Sequence, residues 1–160
     1  KGIIDGVSAN KFNPSDNVTR EQFVKMIVLA ANMQKENAEC GFNDVEQDKW
    51  YYSYVSSAVS NGIINGISET EFGAGRNILR RDMACIIYKT LLKCGYEITE
   101  RKTEFEDFDL IADYAQEAVA ALAADKIING LDDNTFAPDK TATRAEAAVI
   151  IDAMMRRINK

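Results

Sequence analysis

Apolar residues recur at three- and four-residue spacing in five stretches, the signature of helices that bury one stripe. Tyr51, Tyr54, Val55, Ala58 and Val59 predict a helix from about Trp50 to Asn61, and Tyr114, Ala118, Val119, Leu122 and Ala123 predict another of the same kind. Three more stretches open beside an Arg: Phe23, Ile27 and Ala30; Met83, Ile86, Ile87 and Leu91; Ala147, Ile150, Ile151 and Met154. Met26, Met154 and Met155 read as core at this spacing, a lipid or peptide groove being the alternative. Between the helices, Asp-Gly or Asn-Gly followed by Phe reads as a tight turn with a short extended pair, so little strand is expected.

Sliding the chain along itself shows an internal repeat. Gly2-Ile3-Ile4-Asp5-Gly6, Gly62-Ile63-Ile64-Asn65-Gly66 and Lys126-Ile127-Ile128-Asn129-Gly130 fall into register at offsets of 60 and then 64, and each is followed by Phe12, Phe72 or Phe136. The register continues through Val18-Thr19-Arg20-Glu21-Gln22, Ile78-Leu79-Arg80-Arg81-Asp82 and Ala142-Thr143-Arg144-Ala145-Glu146. Upstream, the second and third copies share Phe42-Asn43-Asp44 and Phe105-Glu106-Asp107, and the first copy has no such half. Each full unit is therefore helix, loop, helix, with repeats expected at 1–34 (partial), 42–94 and 105–157. Ala58/Leu122 and Val59/Ala123 exchange large for small, as copies filling one quasi-symmetric core require. Gly62 sits where a left-handed helix stop belongs, and Lys126 replaces it in unit three, which predicts a stop there that is strained or differently shaped.

The 160 residues are 46% hydrophobic and 28% charged with nine Gly and two Pro, the make-up of one globular domain. A chain of this size removes roughly 68 to 70% of its unfolded surface from water, enough for a core without metal or disulfide staples. The net charge of -6, with no clustered basic face, argues against nucleic acid. The absence of histidine removes the commonest general base and metal ligand, and no nucleophile-elbow, P-loop or SxxK string occurs. No apolar run approaches the ~20 residues of a membrane span, and Lys1-Gly2-Ile3-Ile4 is no secretory signal, so any signal would lie upstream. Cys40, Cys85 and Cys94 form no CxxC pair. Cys85 and Cys94 would stand roughly 13 Å apart on one helix, too far to bridge, and all three read as small buried hydrophobes.

Thr19-Arg20-Glu21-Gln22 and Thr143-Arg144-Ala145-Glu146 fit a capping box, which accounts for the Thr and the Gln or Glu. The Arg between them opposes the positive end of the helix dipole. It recurs as Arg20, Arg80 and Arg144, and unit two keeps it although Leu79 and Asp82 have replaced the cap residues. An Arg beside unpaired helix N-H groups suits an anion, which favours an acidic ligand over a structural salt bridge. Trp50 and Tyr114, in matching positions, offer either a flat face for a sugar ring or packing. Asp132-Asp133-Asn134 lacks EF-hand spacing and reads as a solvated turn rather than a calcium site.

Together, F-x-D, G-I-I-[DN]-G, F-x-P in Phe12-Asn13-Pro14 and Phe136-Ala137-Pro138, and the Thr143-Arg144-Ala145-Glu146 tetrapeptide resemble the S-layer homology family over nearly the whole chain. The resemblance implies a mainly α fold in which three helix-loop-helix repeats close into a pseudo-threefold spindle around a central helical bundle. It implies a non-catalytic, cofactor-free anchor at the bacterial cell surface, which tethers an S-layer or other exocellular protein to a peptidoglycan-linked secondary polymer. Grooves between units would take the polymer's terminal pyruvylated N-acetylmannosamine, with Arg20, Arg80 and Arg144 on the carboxylate and Asp44, Trp50, Gly66, Asp107 and Gly130 completing the walls. Unit two departs from the pattern in Leu79, Asp82 and Phe72-Gly73-Ala74, which makes its groove degenerate or differently specific. The alternatives are a protein-interaction or lattice-assembly module and, with no paired acid motif, an enzyme using carboxylates such as Asp44 and Asp107.

Overall fold

The computed structural model describes residues 2–4, 6 and 11–159; Lys1 and Asp5 lie outside them. Five α-helices carry the described chain: α1 (Arg20–Ala30), α2 (Tyr52–Ser60), α3 (Arg80–Lys93), α4 (Asp113–Ala124) and α5 (Arg144–Ile158), with a 3-10 turn at Phe108–Leu110. Only single β-bridges are present among the described residues, so the expectation of little strand holds. α1, α3 and α5 meet one another at the centre, while α2 packs on α1 and α4 on α3.

The stripes read from the sequence supply most of the core, although Tyr114 is exposed and Tyr51, Tyr54 and Val59 are half-buried. Phe23, Ile27, Ile87, Leu91, Val55, Val119 and Leu122 are fully buried, as are Ala147 and Met154. Met26 is buried and Met155 half-buried, which gives the methionines their packing role. The three cysteines are unpaired and half-buried, and burial pushes the Cys85 thiol up to about 11.

The residues preceding α1, α3 and α5 form a closed ring. The Val18 N-H donates to Ala142 O, Ala142 N-H to Ile78 O and Ile78 N-H to Val18 O, each at 3.0 Å. All three side chains are fully buried. A backbone polar group at such a place must find a partner or cost about 1–3 kcal/mol, and here each copy supplies the next. The ring makes the pseudo-threefold relation a hydrogen-bonded fact and fixes where the three Arg-bearing helices begin.

Two helix stops behave as their residues dictate. Gly62, after α2, has φ of 72°, and Lys126, after α4, is driven to φ of 55°, the strain expected from its side chain. The middle residue of each F-x-P position also takes positive φ: Asn13 at 50°, Gly73 at 89° and Ala137 at 56°. The helix predicted from Trp50 starts instead at Tyr52, leaving Trp50 in the preceding turn, whereas Tyr114 lies in the first turn of α4.

Candidate functional site: three grooves between repeats

Each signature Arg reaches across to the next copy. Arg20, 5% exposed, donates from Nε to Phe72 O at 3.0 Å, from one terminal nitrogen to Asp82 Oδ2 at 3.0 Å and from the other to Asn65 O at 3.3 Å. Arg80 repeats this one unit on, with Phe136 O at 2.8 Å, Glu146 Oε1 at 3.0 Å and Asn129 O at 3.4 Å. Arg144 closes the circle by donating from Nε to Phe12 O at 2.8 Å. Each guanidinium also lies over the ring of that Phe, at 5.1, 5.1 and 4.9 Å from its centroid. Burial lowers the Arg20 value, against the raising pull of Asp82.

This supplies the structural reason for the Arg that its helix position alone did not. The helix N-termini also differ from expectation. The N-H groups of Arg20, Arg80 and Arg144 are not open to an anion, for each donates at 2.9 Å to a carbonyl of the next copy, respectively Arg76, Lys140 and Asp16. The α5 capping box is complete, with Glu146 N-H on Thr143 Oγ1 at 3.2 Å and Thr143 N-H on Glu146 Oε2 at 2.7 Å. In α1 the Thr19 N-H donates to Gln22 Oε1 at 3.2 Å, while the buried Thr19 Oγ1 closes no full hydrogen bond.

Asp44 and Asp107 hold the loop beneath the Arg. Asp44 accepts from the N-H groups of Phe72 (2.7 Å), Gly73 (2.7 Å) and Ala74 (2.8 Å), and Asp107 accepts from Phe136 (2.7 Å) and Ala137 (2.8 Å). Pro138 has no N-H to offer, so Ala74 adds a third bond in unit two. Burial raises the Asp44 carboxyl, but the three N-H groups win and hold it below its usual value.

Gly66 and Gly130 are required for space. A Cβ on Gly66 would stand 2.3 Å from both Glu71 O and Ser68 O and 2.6 Å from the Phe42 ring, and one on Gly130 would meet the Phe105 ring at 2.7 Å. Phe42 and Phe105 thus cover these glycines and pack on Phe72 and Phe136 at 6.1 and 5.7 Å between centroids. Phe12 has no such cover among the described residues and is 40% exposed, where Phe72 is fully buried.

Three pseudo-equivalent grooves result. The first, about 240 Å³, is lined by Ile3, Gly6, Gln22, Trp50 and Arg144. The second, about 630 Å³, is lined by Arg20, Asn65, Gly66, Asp82 and Tyr114. The third, about 290 Å³, is lined by Arg80, Asn129, Gly130, Glu146 and Val149. The aromatics at matching positions, Trp50 and Tyr114, are 54% and 62% exposed and wall the first two grooves. The Tyr114 hydroxyl donates to Asp82 Oδ1 at 2.7 Å and accepts from Arg81 Nε at 2.9 Å. The unit-two groove, marked by its sequence as degenerate or differently specific, is the largest of the three.

Asp44 and Asp107 lie behind these walls, committed to the loops, while Arg20, Arg80, Arg144, Gly66, Gly130 and Trp50 line the grooves themselves. Reading the sequence missed Asp82 and Glu146 as the partners of Arg20 and Arg80. The signal was present in the acid three positions into each helix. Asp133 Oδ1 accepts from Thr135 N-H and Oγ1 at 3.1 and 2.6 Å, a self-contained turn, and no cluster of three metal-ligating side chains occurs among the described residues. No helix among them is long and apolar enough to cross a membrane.

The S-layer homology domain model matches residues 1–24, 41–84 and 104–148, segments that contain all three copies of the Arg, loop and glycine arrangement. The chain belongs to the S-layer homology family. It is 35% identical over 98% of its length to the exoglucanase XynX of Acetivibrio thermocellus, covering 14% of that protein. It is 26% identical over 99% of its length to the surface-layer 125 kDa protein of Lysinibacillus sphaericus, covering 13% of it. The cellulosome-anchoring protein of Acetivibrio thermocellus is 26% identical over 97% of the chain, which covers 36% of that relative. The chain therefore spans a minor part of each, and the match to an enzyme runs through a small fraction of the enzyme's length.

Proposed function

We propose that this chain is a non-catalytic module that anchors an S-layer or other exocellular protein at the bacterial surface. It does so by binding a peptidoglycan-linked secondary cell wall polysaccharide through its terminal pyruvylated N-acetylmannosamine. The observation that carries this reading is the unit-two groove, about 630 Å³, cation-lined and walled by an exposed aromatic ring, in a family represented among surface-layer and cellulosome-anchoring proteins. A sugar ring fits against Tyr114 and a ketal carboxylate against the groove's cations. Since the net charge is -6, attraction for an anionic polymer is local rather than long-range, and retention comes from several weak engagements on one polymer-coated surface.

Calorimetry with the methyl glycoside of 4,6-pyruvylated N-acetylmannosamine, against its unpyruvylated form, tests this. Heat with the first sugar only is the expected result. Equal heat with both, or none with either from folded protein, overturns it.

A further inference from the structure

Aligning the three copies shows that unit two gathers three cations where unit three has one and unit one has none. Arg76, Arg81 and Lys89 of unit two stand where unit one has Asp16, Glu21 and Leu29 and where unit three has Lys140, Ala145 and Ala153. All three unit-two cations line the largest groove, beside the buried Arg20. Opposing these four positive charges, Asp82 is the one carboxylate in that lining, and it is already bound by Arg20 and Tyr114.

The cations are not equally available. Arg20 has its donors on Phe72 O, Asn65 O and Asp82. Arg81 is held by Asp139 and the Tyr114 hydroxyl. Arg76 is exposed and enters no ion pair among the described residues, and its charge presses the Arg20 value down. Lys89 is half-buried, and among the described residues its Nζ reaches only a neutral group, donating at 3.2 Å to the Asn65 amide oxygen once that amide is turned to donate its nitrogen to Ile64 O. Like charges gathered in a cavity without their counter-charge repel one another, and an entering anion relieves that repulsion while gaining charge-assisted hydrogen bonds.

Resting on the glycan-binding reading, we infer that Arg76 and Lys89 hold the carboxylate of the glycan in the unit-two groove. Arg20 is a positioning residue there, one that shapes the wall by clamping Phe72 and Asn65.

The test uses Arg76→Met and Lys89→Met, which leave every clamp bond in place because Arg20 N-H binds the main-chain carbonyl of Arg76. The protein's single Trp, Trp50, lines the unit-one groove and so reports that groove separately. With circular dichroism and thermal midpoint unchanged, each variant is expected to bind the pyruvylated methyl glycoside about tenfold more weakly, and the double variant to bind it no better than the unpyruvylated sugar. Trp50 emission is expected to stay constant through the wild-type titration. Wild-type binding that neither substitution weakens, or that moves Trp50 emission along the same curve, overturns the groove assignment and leaves glycan binding standing. No binding by wild-type protein overturns both.

Discussion

Arg144 and Phe12 join the last repeat to the first across 132 residues of chain, with Nε on the Phe12 carbonyl at 2.8 Å and the guanidinium 4.9 Å from the ring centroid. The same contact joins repeat one to two and two to three, so the repeats form a cycle rather than a stack. In a linear repeat array each unit contacts only its neighbours and the ends fray. A cycle has no such ends, and each clamp supports the other two.

Arg144→Ala is therefore expected to cost about 2–4 kcal/mol, because it leaves the Phe12 carbonyl without its donor and removes the ring contact, weakening a closure that the main-chain bonds to Asp16 and Ala142 still hold. Thermal unfolding should fall by roughly 5–12 °C. Arg144→Lys should recover little, since one ammonium cannot both reach the carbonyl and lie flat over the ring. A thermal midpoint unchanged in Arg144→Ala would show that the contact carries no closure energy. Loss of glycan binding in such a variant reports the state of the fold before it reports a ligand contact.

Gly66 and Gly62 are glycine for different reasons within one repeat, and alanine separates them. Gly66→Ala places a Cβ 2.3 Å from two backbone oxygens that cannot turn away, with an expected cost of about 3 kcal/mol and a distorted unit-two groove. Gly62→Ala meets nothing within 4 Å and suffers only from its φ of 72°, an expected cost of about 1 kcal/mol. Denaturant unfolding of the two variants should preserve that order, and equal costs would contradict the packing found around Gly66.

Much of this was legible in the sequence. The helices, the repeat register, the stop at Gly62 and the strain at Lys126 follow from periodicity and side-chain sterics, which act locally. The Arg clamp was not legible, because Arg20 and Phe72 or Arg20 and Asn65 are brought together only when three copies close on themselves. The roles of Asp44 and Gly66 were hidden inside one repeat: Asp44 is defined by a loop 28 residues on, and Gly66 by the carbonyls of Ser68 and Glu71 together with the Phe42 ring. The absence of Thr and Pro left the unit-two groove either degenerate or differently specific, and neither reading carries its size. Gly73 takes positive φ without a Cβ, and the Ala74 N-H gives Asp44 a bond that Pro could not.

Acid should loosen the loop held by Asp44 and the first turn of α5 held by Glu146. Burial raises Asp44 and Glu146, yet hydrogen bonds from Phe72, Ala74 and Gly73 to the first, and from Thr143 with the charge of Arg80 to the second, leave both below their usual values of 3.8 and 4.5. A carboxyl depressed in the folded state stabilises above its unfolded value and loses that contribution as pH falls through its folded value. Stability is expected to hold above about pH 5 and to decline below the usual carboxylate range, with a shallower decline in Asp44→Asn. Urea midpoints measured between pH 2 and 7 check this, and an unchanged acid slope in Asp44→Asn would remove Asp44 from the account.

Lys126→Gly is expected to stabilise the protein, an unusual direction for a core-adjacent substitution. Lys126 ends α4 at φ of 55°, the position Gly62 holds at 72° after α2, and its backbone N-H bonds Ala123 O at 3.0 Å just as Gly62 bonds Val59 O at 2.8 Å. The backbone is thus committed to the left-handed stop whichever residue sits there, and a Cβ in that region costs roughly 1–2 kcal/mol. Glycine removes that cost and gives back roughly half of it through the greater freedom of the unfolded chain. The Lys126 side chain is exposed and enters no ion pair among the described residues, so little else is lost. A net gain of about 0.5–1 kcal/mol should appear as a higher urea midpoint at unchanged slope. A lower midpoint would mean that the lysine stem covers apolar surface near Ile127 that the backbone argument leaves out.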